Sequence, residues 1–209
     1  MNGQYKTEQE QFWAGEFGNE YVHRNNNPKI IASNTALFSR IFSRTTGVKS
    51  VIELGANIGL NLRAIRRLVP DIQLSAIEIN ESALRELVAL ENIKVYRGSI
   101  LDFKVDTTCD LALIKTVLIH IAPECLPDVY DLLYRASHKY ICLAEYYNPS
   151  PVEVVYRGHS GKLFKRDFAG EMLKKYPELS LVDYGFVYHG DKNFAQDDIT
   201  WFLLEKKKS

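Results

Sequence analysis

Between positions 51 and 62 the chain reads VIELGANIGLNL: an apolar run closing on the acid Glu53, a turn carrying Gly55 and Gly59, then a helical pattern. Residue types in that order suit a nucleotide cofactor. Glycines let the backbone approach a ligand where a Cβ would collide, and a helix start offers unpaired N–H groups to a carboxylate or phosphate. A second apolar run at 73–78 (QLSAIE) ends in Glu78, about 20 residues beyond the turn, where nucleotide-binding α/β folds carry an acid. A carboxylate at the tip of a parallel strand can accept both ribose hydroxyl protons. The plain alternatives are an ordinary strand-to-helix turn and a solvated strand-end acid. Further along, His120 lies just past a fourth apolar run, and an imidazole of near-neutral pKa can take a proton from a hydroxyl or an amine. The competing reading of His120 is a histidine hydrogen-bonded at a half-buried helix start. Glu145, Tyr146, Tyr188 and His189 are secondary choices for the same proton-handling role.

A dinucleotide fingerprint requires G-x-G-x-x-G, and here Asn57 and Leu60 stand at the second and third glycine positions. What remains, E-x-G-x-N-x-G, resembles motif I of the class I S-adenosylmethionine-dependent methyltransferases, with Asn57 in place of the middle glycine. The resemblance implies that Glu53 holds the turn or the methionine amino group, and that Gly55 and Ala56 meet the methionyl carboxylate region. It implies that Glu78 meets the ribose, with Asn57, Gly59, Ile79 and Lys115 completing the cofactor contacts. A third run at 93–96 leads into Arg97-Gly98-Ser99-Ile100, where the methyltransferase pattern often has a Gly-Asp pair whose acid meets the adenine amino group. Ser99 departs from that pair, although a serine can still hydrogen-bond adenine and Ile100 can cover its face.

The elements that must position these residues alternate. Residues 7–24 carry Phe12, Trp13, Phe17 and Tyr21 at broadly helical spacing, and Pro28 opens an amphipathic helix with Ile30, Ile31, Leu37, Phe38, Ile41 and Phe42 near i, i+3 and i+4. Strands are expected from Val51, at 73–78, at 93–96, at 110–114 and at 139–145, with helices over 80–90 and around 123–137. The tail breaks the alternation, because 179–188 and 198–204 are both strand-like with no helix between them, so they must pair antiparallel. The fold class expected is α/β, a Rossmann-like class I methyltransferase fold: a mostly parallel seven-stranded sheet with an antiparallel last strand, plus N-terminal helices. At 209 residues, with no linker or internal repeat, the chain reads as one domain, an N-terminal helical cap at 1–47 and a Rossmann-like core at 48–209.

Composition narrows the partners. Lys plus Arg and Asp plus Glu both number 26, so no general electrostatic pull draws the chain to nucleic acid or anionic lipid. The turn Asn148-Pro149-Ser150-Pro151 lacks the second proline and the aromatic of the N/D-P-P-Y turn of base methyltransferases, and it follows the fifth strand where that motif belongs after the fourth. Cys109, Cys125 and Cys142 show no CxxC spacing and read as reduced core residues. No metal is expected. The longest apolar stretch is interrupted by Lys115 and His120, and with no signal-peptide pattern at the N-terminus the chain reads as cytoplasmic. The long connection from Glu145 to Asp167 is where acceptor chemistry is expected, since ligands of open α/β sheets bind beyond the carboxyl ends of the strands. Its Tyr147, Tyr156, Arg157, His159, Lys165 and Arg166 would suit a hydroxylated or anionic small molecule.

Taken whole, the chain resembles a narrower family, the pseudaminic acid biosynthesis-associated methylases. The segments that carry the resemblance are TEQEQFWAGEFGNEYVHRN, AEYYNPSPVEVVYRGHSGKLFKRDFAGEML, DYGFVYHGDKNF and QDDITWFLLEK. It implies methyl transfer from S-adenosylmethionine, leaving S-adenosylhomocysteine, to O or N of a nonulosonic sugar, its precursor or its activated form. It also implies that Tyr21 and Arg24 belong to a lid over the methionine end of the cofactor, with Arg24 near its carboxylate. A monomer or a homodimer would serve equally. Two other classes stay open at this stage: a non-catalytic cofactor-binding partner in the same pathway, and a nicotinamide-dependent sugar-modifying enzyme, which the altered fingerprint disfavours.

Overall fold

The computed structural model describes residues 5–25 and 27–207. Five strands, β1 (Ser50–Leu54), β2 (Gln73–Glu78), β3 (Ile93–Arg97), β4 (Cys109–Lys115) and β5 (Ser137–Glu145), run parallel. The central strands read as nearly unbroken apolar runs because helices cover both faces, and Glu53 is the polar exception inside β1. Two short strands follow in the connection after β5, β6 (Val152–Glu153) and β7 (Phe164–Lys165), which pair as an antiparallel ribbon that periodicity did not predict. The tail forms β8 (Leu179–Val187) and β9 (Ile199–Lys206). The sheet order is β3-β2-β1-β4-β5-β9-β8, and β9 is antiparallel to both of its neighbours. The expected mostly parallel seven-stranded sheet with a reversed last strand is what the chain forms.

On one face, α3 (Pro28–Phe42) and α4 (Leu60–Leu68) bury Leu37, Phe38, Ile41, Leu62 and Ile65 against Val51, Leu74, Leu111 and Leu113. On the other, α6 (Leu126–Ala136) and α7 (Phe168–Lys175) cover Ile52, Ile114, Ile141 and Leu143. Each fully buried Leu or Ile of this kind contributes about 1.5–3 kcal/mol. The intervening α5 (Glu81–Val88) is capped by Asn80, whose Oδ1 accepts from Ala83 N–H at 2.9 Å. Among the described residues no helix is long and apolar enough to cross a membrane.

The helix expected over 7–24 is two helices, α1 (Glu8–Ala14) and α2 (Glu16–Arg24), broken at Gly15. The second folds back so tightly that a Cβ on Gly18 would lie 1.9 Å from Trp13 O, an approach open only to glycine. A capping box starts α1: Thr7 Oγ1 accepts from Glu10 N–H at 3.1 Å, and the Glu10 carboxylate accepts from Thr7 N–H at 2.9 Å. Asn80 ties this cap to the tip of β2, its Nδ2 donating to Trp13 O and to Asn19 Oδ1 at 3.0 Å each.

Candidate functional site

A cavity of about 570 Å³ opens at the carboxyl ends of β1 to β4, roofed by α1 and α2 and closed at one side by α3 and the β8–β9 loop. Two strained turns frame it. At the end of β1, Asn57 sits at φ +49°, in the left-handed region, which explains how it replaces a glycine: asparagine is the side chain that visits this region most readily. At the end of β4, Thr116 sits at φ +55°, an outlier for a β-branched residue and a strain of the kind that gathers at ligand sites.

The Glu78 carboxylate is the hub of the first turn. Its Oε2 accepts from Asn57 N–H at 2.6 Å, and its Oε1 accepts from Ile79 N–H at 2.8 Å and Asn80 N–H at 2.7 Å. Burial raises its pKa, and these three donors oppose the rise. With two donors already on Oε1 and one on Oε2, a lone pair on Oε2 remains for one further hydroxyl. Glu53 lies beneath the turn and off the cavity wall. Its Oε1 accepts from Asn61 Nδ2 at 2.6 Å, its Oε2 has no partner among the described residues, and burial pushes its carboxyl up to about 8, against the pull of Asn61 and Lys115. Lys115 does line the cavity. Burial lowers its pKa, while Glu53, Asp197 and Glu145 favour its charge.

The second turn is held by Glu145, whose Oε1 accepts from Val117 N–H and Leu118 N–H at 3.0 Å each, fixing the 3-10 turn Leu118–His120. Burial pushes the Glu145 carboxyl up to about 7. His120 rides on that turn and reaches the cavity. Its Nδ1 lies 2.5 Å from Lys162 O, and since a carbonyl only accepts, Nδ1 carries the proton and Nε2 keeps its lone pair. Burial pushes the imidazole down to about 4, so it is neutral in neutral solution. The ring packs on Trp13 at 4.6 Å and on Tyr156 at 4.9 Å between centroids.

The structure brings Tyr21, Gly55, Ala56, Asn57, Glu78, Ile79, Ser99, Ile100, Lys115 and His120 together on one cavity wall. The Ser99 Oγ there accepts from Leu101 N–H at 3.0 Å, and burial pushes the Tyr21 phenol up to about 12. Other residues singled out from sequence lie off the wall. Arg24 pairs with Glu20 at 3.1 Å and covers the Phe17 ring, and a Cβ on Gly59 would face Leu87 and Leu90. Tyr146 lies under Lys165, and Tyr147 rests against Phe202. Tyr156 and His159 join Phe12, Trp13 and Phe17 in an aromatic roof, Arg157 covers Tyr156, and Arg166 reaches Glu171 at 3.5 Å. The connection that carries the ribbon thus folds Tyr156 and His159 onto the helical cap.

Sequence reading missed Glu10, Trp13, Ser33, Asn34, Asn61, Gln196 and Asp197, which also line the cavity. The Thr7-to-Glu10 spacing of a capping box is the one local signal that could have pointed to Glu10, and nothing local in α3 or in the β8–β9 loop marks either as a wall. The loop is held in place by Gln196 Nε2, which donates to Ser33 O at 3.0 Å. Inside it, Asp191 accepts from Asn193 and Phe194 N–H, and Asp198 pairs with His189. Several cavity-lining side chains keep a buried polar atom without a partner among the described residues, including Glu10, Trp13, Asn34, Asn57, Asn61 and Gln196. Each costs about 1–3 kcal/mol if left unmet. Among the described residues no cluster of three or more His, Cys, Asp or Glu could hold a metal ion.

No family model matches the chain, and no curated protein matches its sequence. Solved structures are similar in fold. The plantazolicin methyltransferase BpumL in complex with S-adenosylhomocysteine (SAH) superposes with a TM-score of 0.67 at 14% identity, over 96% of this chain and 94% of that one. CalS10, an amino pentose methyltransferase from Micromonospora echinaspora bound to S-adenosylmethionine, gives 0.64 at 11% identity, over 91% and 96%. The N-terminal domain of EvdMO1 in the presence of SAH and D-fucose gives 0.60 at 15% identity, over 85% and 83%. With the sheet order, this likeness establishes a Rossmann-like class I methyltransferase fold.

Proposed function

We propose that the chain is an S-adenosylmethionine-dependent methyltransferase acting on O or N of a small polar acceptor. The observation that carries this reading is the cavity itself: a left-handed turn locked to Glu78 by a backbone N–H, under a helical cap, with unpartnered polar atoms around it. The residues present fit an adenosyl amino acid. Glu78 offers a lone pair to a ribose hydroxyl, the turn at Ala56 and Asn57 and the Lys115 amino group suit the amino-acid end, and Ile100 offers an apolar face to a base. All three similar structures described above hold S-adenosylmethionine or its product. When bound, the cofactor supplies an electrophilic methyl on a sulfonium leaving group, so the protein's own task is alignment and water exclusion. The α1–α2 cap excludes water. Glu145 orients the turn that carries His120, and neutral His120, with Nε2 free, is the group able to take the acceptor's proton.

The acceptor we infer is a nonulosonic sugar of the pseudaminic or legionaminic type, its precursor or its activated form. Two sugar-associated structures among those of similar fold support this, an amino pentose methyltransferase and a domain crystallised in the presence of D-fucose. The lobe between α3 and the β8–β9 loop suits such a molecule. Ser33, Asn34 and Gln196 present hydroxyl and carboxamide groups for sugar hydroxyls, and Lys29 and Lys192 bring cations for a carboxylate. Calorimetric titration with S-adenosylmethionine and SAH, followed by mass spectrometry of nonulosonic sugars incubated with protein and cofactor, tests both levels. Saturable binding with a 14 Da mass gain supports the reading. Binding without product on any such sugar refutes the acceptor, and no binding refutes the cofactor.

A further inference from the structure

We propose that Glu10 and Trp13 of α1 read the 6-amino edge of the cofactor's adenine, an inference that rests on the cofactor reading above. Both residues line the same cavity as Ser99, Ile100 and Leu101. The start of α1 is pinned to that wall, since Lys6 Nζ donates to Leu101 O at 3.1 Å and pairs with Asp102 at 2.5 Å. Glu10 Oε2 in turn accepts from Lys6 N–H at 2.7 Å, so its carboxylate sits beside the turn that follows β3.

The capping box accounts for one oxygen of Glu10 and leaves the other. A capping glutamate ordinarily stands in solvent. Glu10 is 7% exposed, and its Oε1 has no partner among the described residues. One helical turn on, at i+3 and therefore on the same face, Trp13 Nε1 is also buried without a partner among the described residues, its ring tilted against His120. The helix thus carries one unmet acceptor beside one unmet donor. A 6-aminopurine presents the complement, an N6–H donor next to a ring-nitrogen acceptor, whereas a 6-oxopurine presents an acceptor at position 6 and a donor at N1. Ser99, on the same wall, has its Oγ engaged by Leu101 N–H, which leaves Glu10 as the free anionic acceptor there for an amino donor.

Titration with SAH and with S-inosylhomocysteine, which differs at position 6 and N1 alone, tests this directly. A site built to hydrogen-bond a polar group rejects the mismatched analogue, so the wild-type protein should favour SAH by about 100-fold or more. Glu10→Gln keeps the side-chain length but can turn either a carbonyl or an NH2 to the base, and the preference should fall below about tenfold. Trp13→Phe keeps an aromatic ring and removes the donor; it should lower SAH affinity about tenfold while leaving the cap folded, as judged by an unchanged melting temperature. Equal binding of the two ligands by the wild type overturns the proposal. So does a wild-type preference retained in folded Glu10→Gln and Trp13→Phe. Failure of both ligands to bind the wild type removes the cofactor reading and this inference together, a result distinct from binding without discrimination.

Discussion

Glu78→Gln isolates what the carboxylate at the tip of β2 does. The replacement matches the wild-type volume, so no cavity opens and the change is one of hydrogen bonding alone. Glu78 receives three backbone N–H groups, two on Oε1 and one on Oε2. A carboxamide has a single acceptor oxygen. Its better orientation keeps that oxygen under Ile79 and Asn80 and turns the NH2 toward Asn57 N–H, so one charge-assisted bond becomes a donor-donor opposition. Losing that bond costs about 1.5–3 kcal/mol, and weakening the other two from charged to neutral costs about 1 kcal/mol each. Removing a buried charge returns about 1–2 kcal/mol of this, since burial already disfavours the ionised acid. The net loss is about 1.5–4 kcal/mol, which for a chain of this size lowers the melting temperature by about 3–16 °C. The turn at Asn57, with its left-handed φ, loses its anchor as well, so SAH affinity should fall by about 10- to 100-fold. Thermal unfolding by circular dichroism and calorimetric titration of SAH measure the two effects. A melting temperature within 1 °C of wild type, with unchanged SAH affinity, refutes the assignment of Glu78 as the hub of the turn.

Two further expectations concern pH. Burial holds His120 neutral down to about 4, and a general base works in its neutral form, so the acid limb of kcat/KM should lie near pH 4 rather than 6.5. A limb near 6.5 that disappears in His120→Asn would show that the imidazole is not desolvated as the structure has it. Glu53 carries the opposite sign. Its carboxyl is pushed up to about 8, so the folded chain holds a proton that the unfolded chain releases above about 4.5, and the stability it contributes is lost as pH rises through that window. Glu53→Gln does not titrate. Its stability relative to wild type, from urea unfolding, should therefore rise by up to about 1.4 kcal/mol per pH unit between pH 5 and 8. A flat difference across that range contradicts the burial of an unpaired Glu53 oxygen.

Local patterning carried much of the outcome. The apolar runs, the glycine spacing at 55 and 59, the acid at 78 and the absence of a helix between the last two strands were enough for a mostly parallel sheet with a reversed last strand and for most of the turn-side cavity wall. These signals are legible because a parallel strand buried on both faces must be apolar, and because a left-handed turn restricts residue type at its own position. Asn57 shows how narrow that restriction is: the departure from glycine went to the side chain that tolerates the same backbone. The connection after β5 was read differently. Tyr156, Arg157 and His159 have the types of a sugar site, yet the connection through the β6–β7 ribbon packs the Tyr156 and His159 rings on the α1–α2 cap and leaves Arg157 over Tyr156, because covering aromatic surface there outweighs leaving it in water.

What the sequence by itself determined was the order of elements, the motif turn and the acid at the tip of β2, since each depends on residues within about one element's length of one another. What only the tertiary structure decided was convergence and desolvation. Glu10, Trp13, Ser33, Asn34 and Gln196 reach the cavity from opposite ends of the chain, as the Lys6 to Leu101 and Gln196 to Ser33 hydrogen bonds show across separations of 95 and 163 residues. The neutral state of His120 and the raised carboxyls of Glu53 and Glu145 belong to the same class, because a pKa is set by what surrounds a side chain in space and not by its neighbours in sequence.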